Sequence, residues 1–135
     1  MWNCYKAACK LRGADKTSLT ADDIKRRLYG HVKAKLSFDM PEHLVSCKRS
    51  RVAMGWLRSW GIESQESLLR YDLLEHRVVF LVRHDNAVVD AAGRSLGRRT
   101  PKWKRYGKEA LPFFHGRGNV AVVVEDCVSA AIVGT

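Results

Sequence analysis

At 135 residues the chain is long enough for one core of ordinary size, or a core with a small appendage. Hydrophobic residues make up 46% and charged residues 28%, a globular balance that argues against wholesale disorder. The net charge of +10 puts a polyanion, nucleic acid first, at the head of the partner classes, because neutralising phosphates with Lys and Arg releases condensed counterions.

No stretch approaches the ~18 apolar residues that span a bilayer, and the N-terminus lacks the apolar core of a signal peptide, so the expected location is cytoplasmic with no membrane partner. In such a chain the four cysteines are expected as thiols or metal ligands rather than a disulfide framework.

Cys4 and Cys9 open the sequence at a spacing within the range of a zinc knuckle, followed by a turn at Gly13. Structural zinc needs about four ligands. Cys47, Cys127 and the histidines show no matching second pair, so Zn²⁺ is expected only if further ligands are supplied, and two free thiols remain the alternative.

Thr20-x-x-Asp23 is a variant capping box, and Ile24, Leu28, Val32 and Leu36 follow at four-residue steps, which predicts a helix within a helical linker over residues 14–40. Gly30 weakens it by ~1 kcal/mol relative to alanine. Beyond Pro41, residues Val52, Trp56, Leu57 and Trp60 share a helical face that ends at Gly61, and a second short helix is expected from Ser64 to Arg70. At this spacing the two tryptophans are expected in the core, with stacking on bases as the alternative.

After His76 the period changes. Val78–Val82 and Ala87–Ala91 are β-rich runs separated by His84-Asp85-Asn86, which predicts a hairpin. From Arg94 to Lys108 there are seven Lys or Arg residues and no carboxylate, a segment punctuated by Gly and Pro. Asn119–Val124 is a continuous apolar run, as expected of a strand buried on both faces of a parallel or mixed sheet, and Cys127–Val133 reads as the start of a helix.

Glu125 and Asp126 lie between that strand and that helix. Carboxylates beyond the carboxyl end of a strand in an open sheet are placed to meet a ligand, and their oxygens suit Mg²⁺. The competing reading is that they cap the helix and complement its dipole.

The run Val122-Val123-Val124-Glu125-Asp126-Cys127-Val128-Ser129-Ala130 resembles the first motif of the Toprim fold, in a Glu-Asp variant associated with bacteriophage primases. Three further segments occur in the order of the primase family. Arg77-Val78-Val79-Phe80 resembles the strand that opens the priming domain, Gly93-Arg94-Ser95-Leu96 its Gly-Arg turn, and Pro101-Lys102-Trp103 its Pro-Lys-aromatic motif. The segment Trp2 to Gly13 is similar to the second knuckle of the zinc ribbon that precedes such domains.

The resemblance implies an α+β chain in which N-terminal helices, to about residue 75, are followed by a mixed β-sheet that begins a Toprim-like domain. Residues 1–13 would be a partial zinc-ribbon-like knuckle, and 41–135 the N-terminal part of a primase RNA-polymerase domain ending at the first Toprim motif. It implies template-directed RNA primer synthesis in phage or bacterial DNA replication, with Mg²⁺ or Mn²⁺, a single-stranded DNA template, nucleotides, and a replicative helicase as a further partner, in the host cytoplasm if phage-encoded.

By the same resemblance Glu125 would be catalytic and, with Asp126, hold metal, while Arg94, Lys102, Trp103, Lys104 and Arg105 would bind nucleotide or template. The family's Asp-x-Asp metal motif has no counterpart up to residue 135, so the chain alone is expected to be inactive. Two alternatives are a non-catalytic single-stranded nucleic-acid-binding protein with a degenerate primase fold and another Toprim enzyme, a nuclease or topoisomerase.

Overall fold

The structure, a computed structural model, describes residues 2–3, 12–13, 20–29, 38–108, 111–117 and 121–134. Two short strands, β1 (Trp2–Asn3) and β2 (Arg12–Gly13), pair antiparallel. Cys4 and Cys9 lie outside the described residues, as do Gly30, Val32 and Leu36 of the predicted first helix.

Helix α1 (Ala21–Tyr29) begins as its sequence predicts. The Thr20 amide and hydroxyl donate to Asp23 Oδ2 at 3.1 and 2.8 Å, and the Asp23 amide donates back to Thr20 Oγ1 at 3.2 Å. The box works with Asp in place of Glu because both partners need only one short side-chain oxygen each. These bonds from Thr20 hold the Asp23 carboxyl below its ordinary value.

A five-stranded sheet runs in the order β3 (Leu44–Val45), β4 (Leu69–Asp72), β5 (Arg77–His84), β6 (Ala87–Ser95) and β7 (Trp103–Arg105). Every neighbouring pair is antiparallel. The chain is α+β as expected, but this sheet is not mixed. For β4–β5 and β5–β6 the connections explain it: Leu73–His76 and Asp85–Asn86 are far too short for the crossover that parallel strands require.

The predicted hairpin forms with Asp85 and Asn86 as its two-residue loop, both left-handed at φ 48° and 64°, while His84 belongs to β5. Asp and Asn tolerate that conformation, and its twist suits the strands. Helices do not extend to residue 75, because β3 and β4 precede it. The segment expected to be helical from Ser64 is a 3₁₀ turn, Glu63–Leu68, that leads into β4.

Helix α2 (Arg51–Ser59) is capped by Ser50, whose hydroxyl accepts the Ala53 N–H at 3.2 Å, and is stopped by Gly61 at φ 70°. Its inward face differs from the predicted one. Ala53 and Leu57 are buried, whereas Val52 is 66% and Trp60 47% exposed. Val52 precedes Ala53 by one residue and so lies about 100° around the axis from the stripe that meets the sheet.

Strand alternation divides the core into two sides. Val78 and Phe80 pack with Leu69, Tyr71, Leu57 of α2, and Val128 and Ala131 of α3 (Cys127–Val133). Val79 and Leu81 pack with Leu44 and Ala91 on the other side. The predicted buried strand at Asn119–Val124 is not formed: its described part, 121–124, takes no strand conformation, and Val123 is 88% exposed. Among the described residues the sheet ends at β7, so no neighbouring strand covers that run.

Candidate nucleic-acid interface

The basic segment crosses the β6–β7 edge of the sheet. Gly93 and Arg94 are strand residues there rather than a turn, paired with Lys104 and Trp103 respectively. Gly93 is required by packing, since a Cβ would meet Tyr106 Cε2 at 2.7 Å and Arg77 Cδ at 3.3 Å.

Cross-strand register places the Arg94 guanidinium over the Trp103 ring, 5.8 Å from its centroid. The indole is half-buried, tilted against Phe80 at 5.9 Å between centroids, so the core holds the ring while Arg94 covers it from outside. A guanidinium held in this way keeps its charge and a planar donor fork.

Between the two strands, residues 96–102 form a loop closed by the Ser95 amide, which donates to the Lys102 carbonyl at 3.0 Å. Arg98, Arg99 and Lys102 are exposed on it, and among the described residues no carboxylate pairs with them.

Lys104 and Arg105 are placed differently. Lys104 Nζ bonds Glu75 Oε1 and lies 5.1 Å from the centroid of the Tyr106 ring. Arg105 Nη1 donates to Asp90 Oδ2 at 2.6 Å and to the Leu111 carbonyl at 2.7 Å. Both are held in salt bridges, with 37% and 43% of their side chains still exposed.

Beneath the loop lies a polar network built on Asp72, Glu75, Arg77 and Tyr106, none of which was expected as a site residue. Arg77, 1% exposed, donates from Nε to Glu75 Oε2 at 2.9 Å and from Nη1 to the carbonyls of Pro101 and Lys102 at 2.8 and 3.4 Å. Glu75 is held below its ordinary value by Lys104 and then Arg77. Asp72, fully buried, accepts the Tyr106 hydroxyl on Oδ2 and the Leu74 and Glu75 amides on Oδ1, each amide at 2.8 Å. Burial opposes its ionisation, but the Tyr106 hydroxyl and the two amides outweigh that and lower its pKa. For Asp90 the sequence did carry a signal, since it interrupts the otherwise apolar run Ala87–Ala92, and a charge in such a run is buried with a partner.

At the acidic motif, Asp126 caps α3, its Oδ1 accepting the Ser129 amide at 2.8 Å, and Glu125 is exposed beside it. The next residue, Cys127, has its thiol pushed up to about 11, by burial first, with Arg105 opposing and Asp126 and Asp90 reinforcing. Among the described residues no three His, Cys, Asp or Glu side chains converge as a metal-binding set. With Asp126 engaged as the cap, Glu125 is the exposed carboxylate of the pair, and a Mg²⁺ held there would need water or phosphate oxygens for its remaining positions.

The chain matches no protein-family model, no curated protein and no solved structure.

Proposed function

We propose that the chain binds single-stranded nucleic acid along the β6–β7 edge, as the template-holding part of a primer-synthesising protein. One observation carries the reading: Arg94 lies over Trp103 beside the exposed Arg98, Arg99 and Lys102, none of them in a salt bridge among the described residues, while neighbouring Lys104 and Arg105 are each paired with a carboxylate. Cations without a carboxylate partner release counterions when they meet phosphates, and a guanidinium plane can stack on an unpaired base. The assignment to primer synthesis is supported by the order of Arg77, Arg94, Lys102 and Glu125 along the chain.

Fluorescence anisotropy of labelled single-stranded DNA across a salt series tests it. Reversing charge at Arg94 and Lys102 together is expected to weaken binding and to flatten the dependence of log K on log salt by more than one unit, at about 0.7 per lost contact on single strands. An unchanged slope would overturn the assignment of these two residues. Glu125→Gln is expected to leave DNA affinity as it is. Primer synthesis by the chain on a single-stranded template with Mg²⁺ or Mn²⁺ would show that it catalyses as well as binds.

A further inference from the structure

We infer that Arg77 is a positioning residue for the basic loop, holding Arg98, Arg99 and Lys102 beside Arg94 before nucleic acid arrives; the inference rests on the binding reading above. A charged side chain this deeply buried needs partners, and those of Arg77 are unevenly chosen. One is the carboxylate of Glu75. The others are main-chain carbonyls at the end of the loop, Pro101 and Lys102, 24 and 25 positions further along the chain. No phosphate can reach a guanidinium that is 1% exposed, so its charge serves the interior.

The loop needs such a hold. It carries three cations and no carboxylate between Leu96 and Lys102, so its own charges drive it apart. Three restraints oppose that. The Leu96 amide donates to the His76 carbonyl at 3.2 Å, the Ser95 amide to the Lys102 carbonyl at 3.0 Å, and Arg77 to the two carbonyls beside the Lys102 end. Two of these originate at adjacent residues, His76 and Arg77, so the start of β5 anchors both ends of the loop. Glu75 pairs with both Arg77 and Lys104, so its single negative charge offsets part of the positive charge beside the loop. A loop ordered in advance loses less conformational freedom on binding.

The test uses the full chain with fluorescent oligo(dT) as probe, in native form and with Arg77→Lys and Arg77→Gln. Lys keeps the charge but loses the planar fork, and Gln keeps an N–H donor but loses the charge; whichever retains the native circular dichroism spectrum is sufficient. Affinity is expected to fall about tenfold, the order of one charge-assisted hydrogen bond, with the salt slope unchanged because no phosphate contact is removed. Hydrogen exchange at the Ser95 and Leu96 amides is expected to speed up in the same variant. If native protein binds oligo(dT) and the variant binds equally well, the positioning role is wrong while the binding reading stands. A fall in slope with Arg77→Gln would make Arg77 a phosphate contact and also overturn it. No binding by the native chain would remove the binding reading itself.

Discussion

Asp90 lies wholly buried with Arg105 Nη1 2.6 Å from its Oδ2, so the β6–β7 edge is joined by a side-chain ion pair as well as by its ladder. The same carboxylate accepts the amides of Ala91 at 2.7 Å, Gly107 at 3.0 Å and Leu111 at 3.2 Å. Gly107 is needed for this approach, since a Cβ there would sit 2.3 Å from Asp90 Oδ1. Removing the carboxylate leaves three amides without their acceptor and Arg105 with the Leu111 carbonyl in its place. Asp90→Ala is therefore expected to lower stability by about 3–5 kcal/mol in urea titrations, and Asp90→Asn by less. A loss under 1 kcal/mol for Asp90→Ala would contradict the role given to this carboxylate.

Two buried groups with opposed titration shape the pH profile. The depressed pKa of Asp72 means that the group stabilises the fold above its unfolded value, near pH 4, and that this is lost as pH falls through the lower folded value. Tyr106 is shifted the other way, upward, by burial first and then by Asp72, so its contribution is present below about pH 10 and is lost as pH rises past it. Tyr106→Phe removes the titrating phenol and a donor to Asp72. Its urea midpoints are expected to be lower near neutral pH and to decline less on both the alkaline and the acid side. An unaltered profile on both sides would count against the Tyr106–Asp72 bond.

The cap of α3 separates two roles for Asp126. As a helix cap, Asp126→Ala should cost about 0.5–2 kcal/mol, and Asp126→Ser should restore most of it, since a serine hydroxyl can also accept the Ser129 amide. Metal ligation would not be restored by serine. Parallel thermal melts and Mn²⁺ titrations of the two variants read both roles.

On α2, Leu57→Ala is expected to cost about 2–5 kcal/mol, because the residue is fully buried in the main core. Val52→Ala should change stability by less than about 0.5 kcal/mol. The reverse order in denaturant titrations would restore the inward face expected from spacing alone.

Local chemistry was legible in the sequence and long-range pairing was not. The Thr20–Asp23 box, the Asp85-Asn86 turn, the stop at Gly61 and helix α3 all depend on neighbours within a few residues. Strand β4 was missed although Leu69-Arg70-Tyr71-Asp72 alternates apolar and polar, because four residues cannot override a helical reading of the preceding turn. The Gly93-Arg94 pair was expected in a turn from its resemblance to the Gly-Arg turn of primases. In the fold the glycine marks instead the strand position crossed by Tyr106 and Arg77.

For the Val122–Val124 run, composition suggested burial, but a strand needs a partner to be buried against, and which segments pair is not written in the run itself.

Sequence alone determined how many cations crowd into residues 94–108 and that no carboxylate lies among them. Only the tertiary structure decided which of those cations remain available. Lys104 and Arg105 are paired with Glu75 and Asp90, 29 and 15 positions away, while Arg94 is laid over Trp103 and Lys102 is left exposed without a carboxylate among the described residues. The physical reason is that charge belongs to a residue, whereas pairing and burial belong to the fold, and the strand register across β6 and β7 brings the partners together.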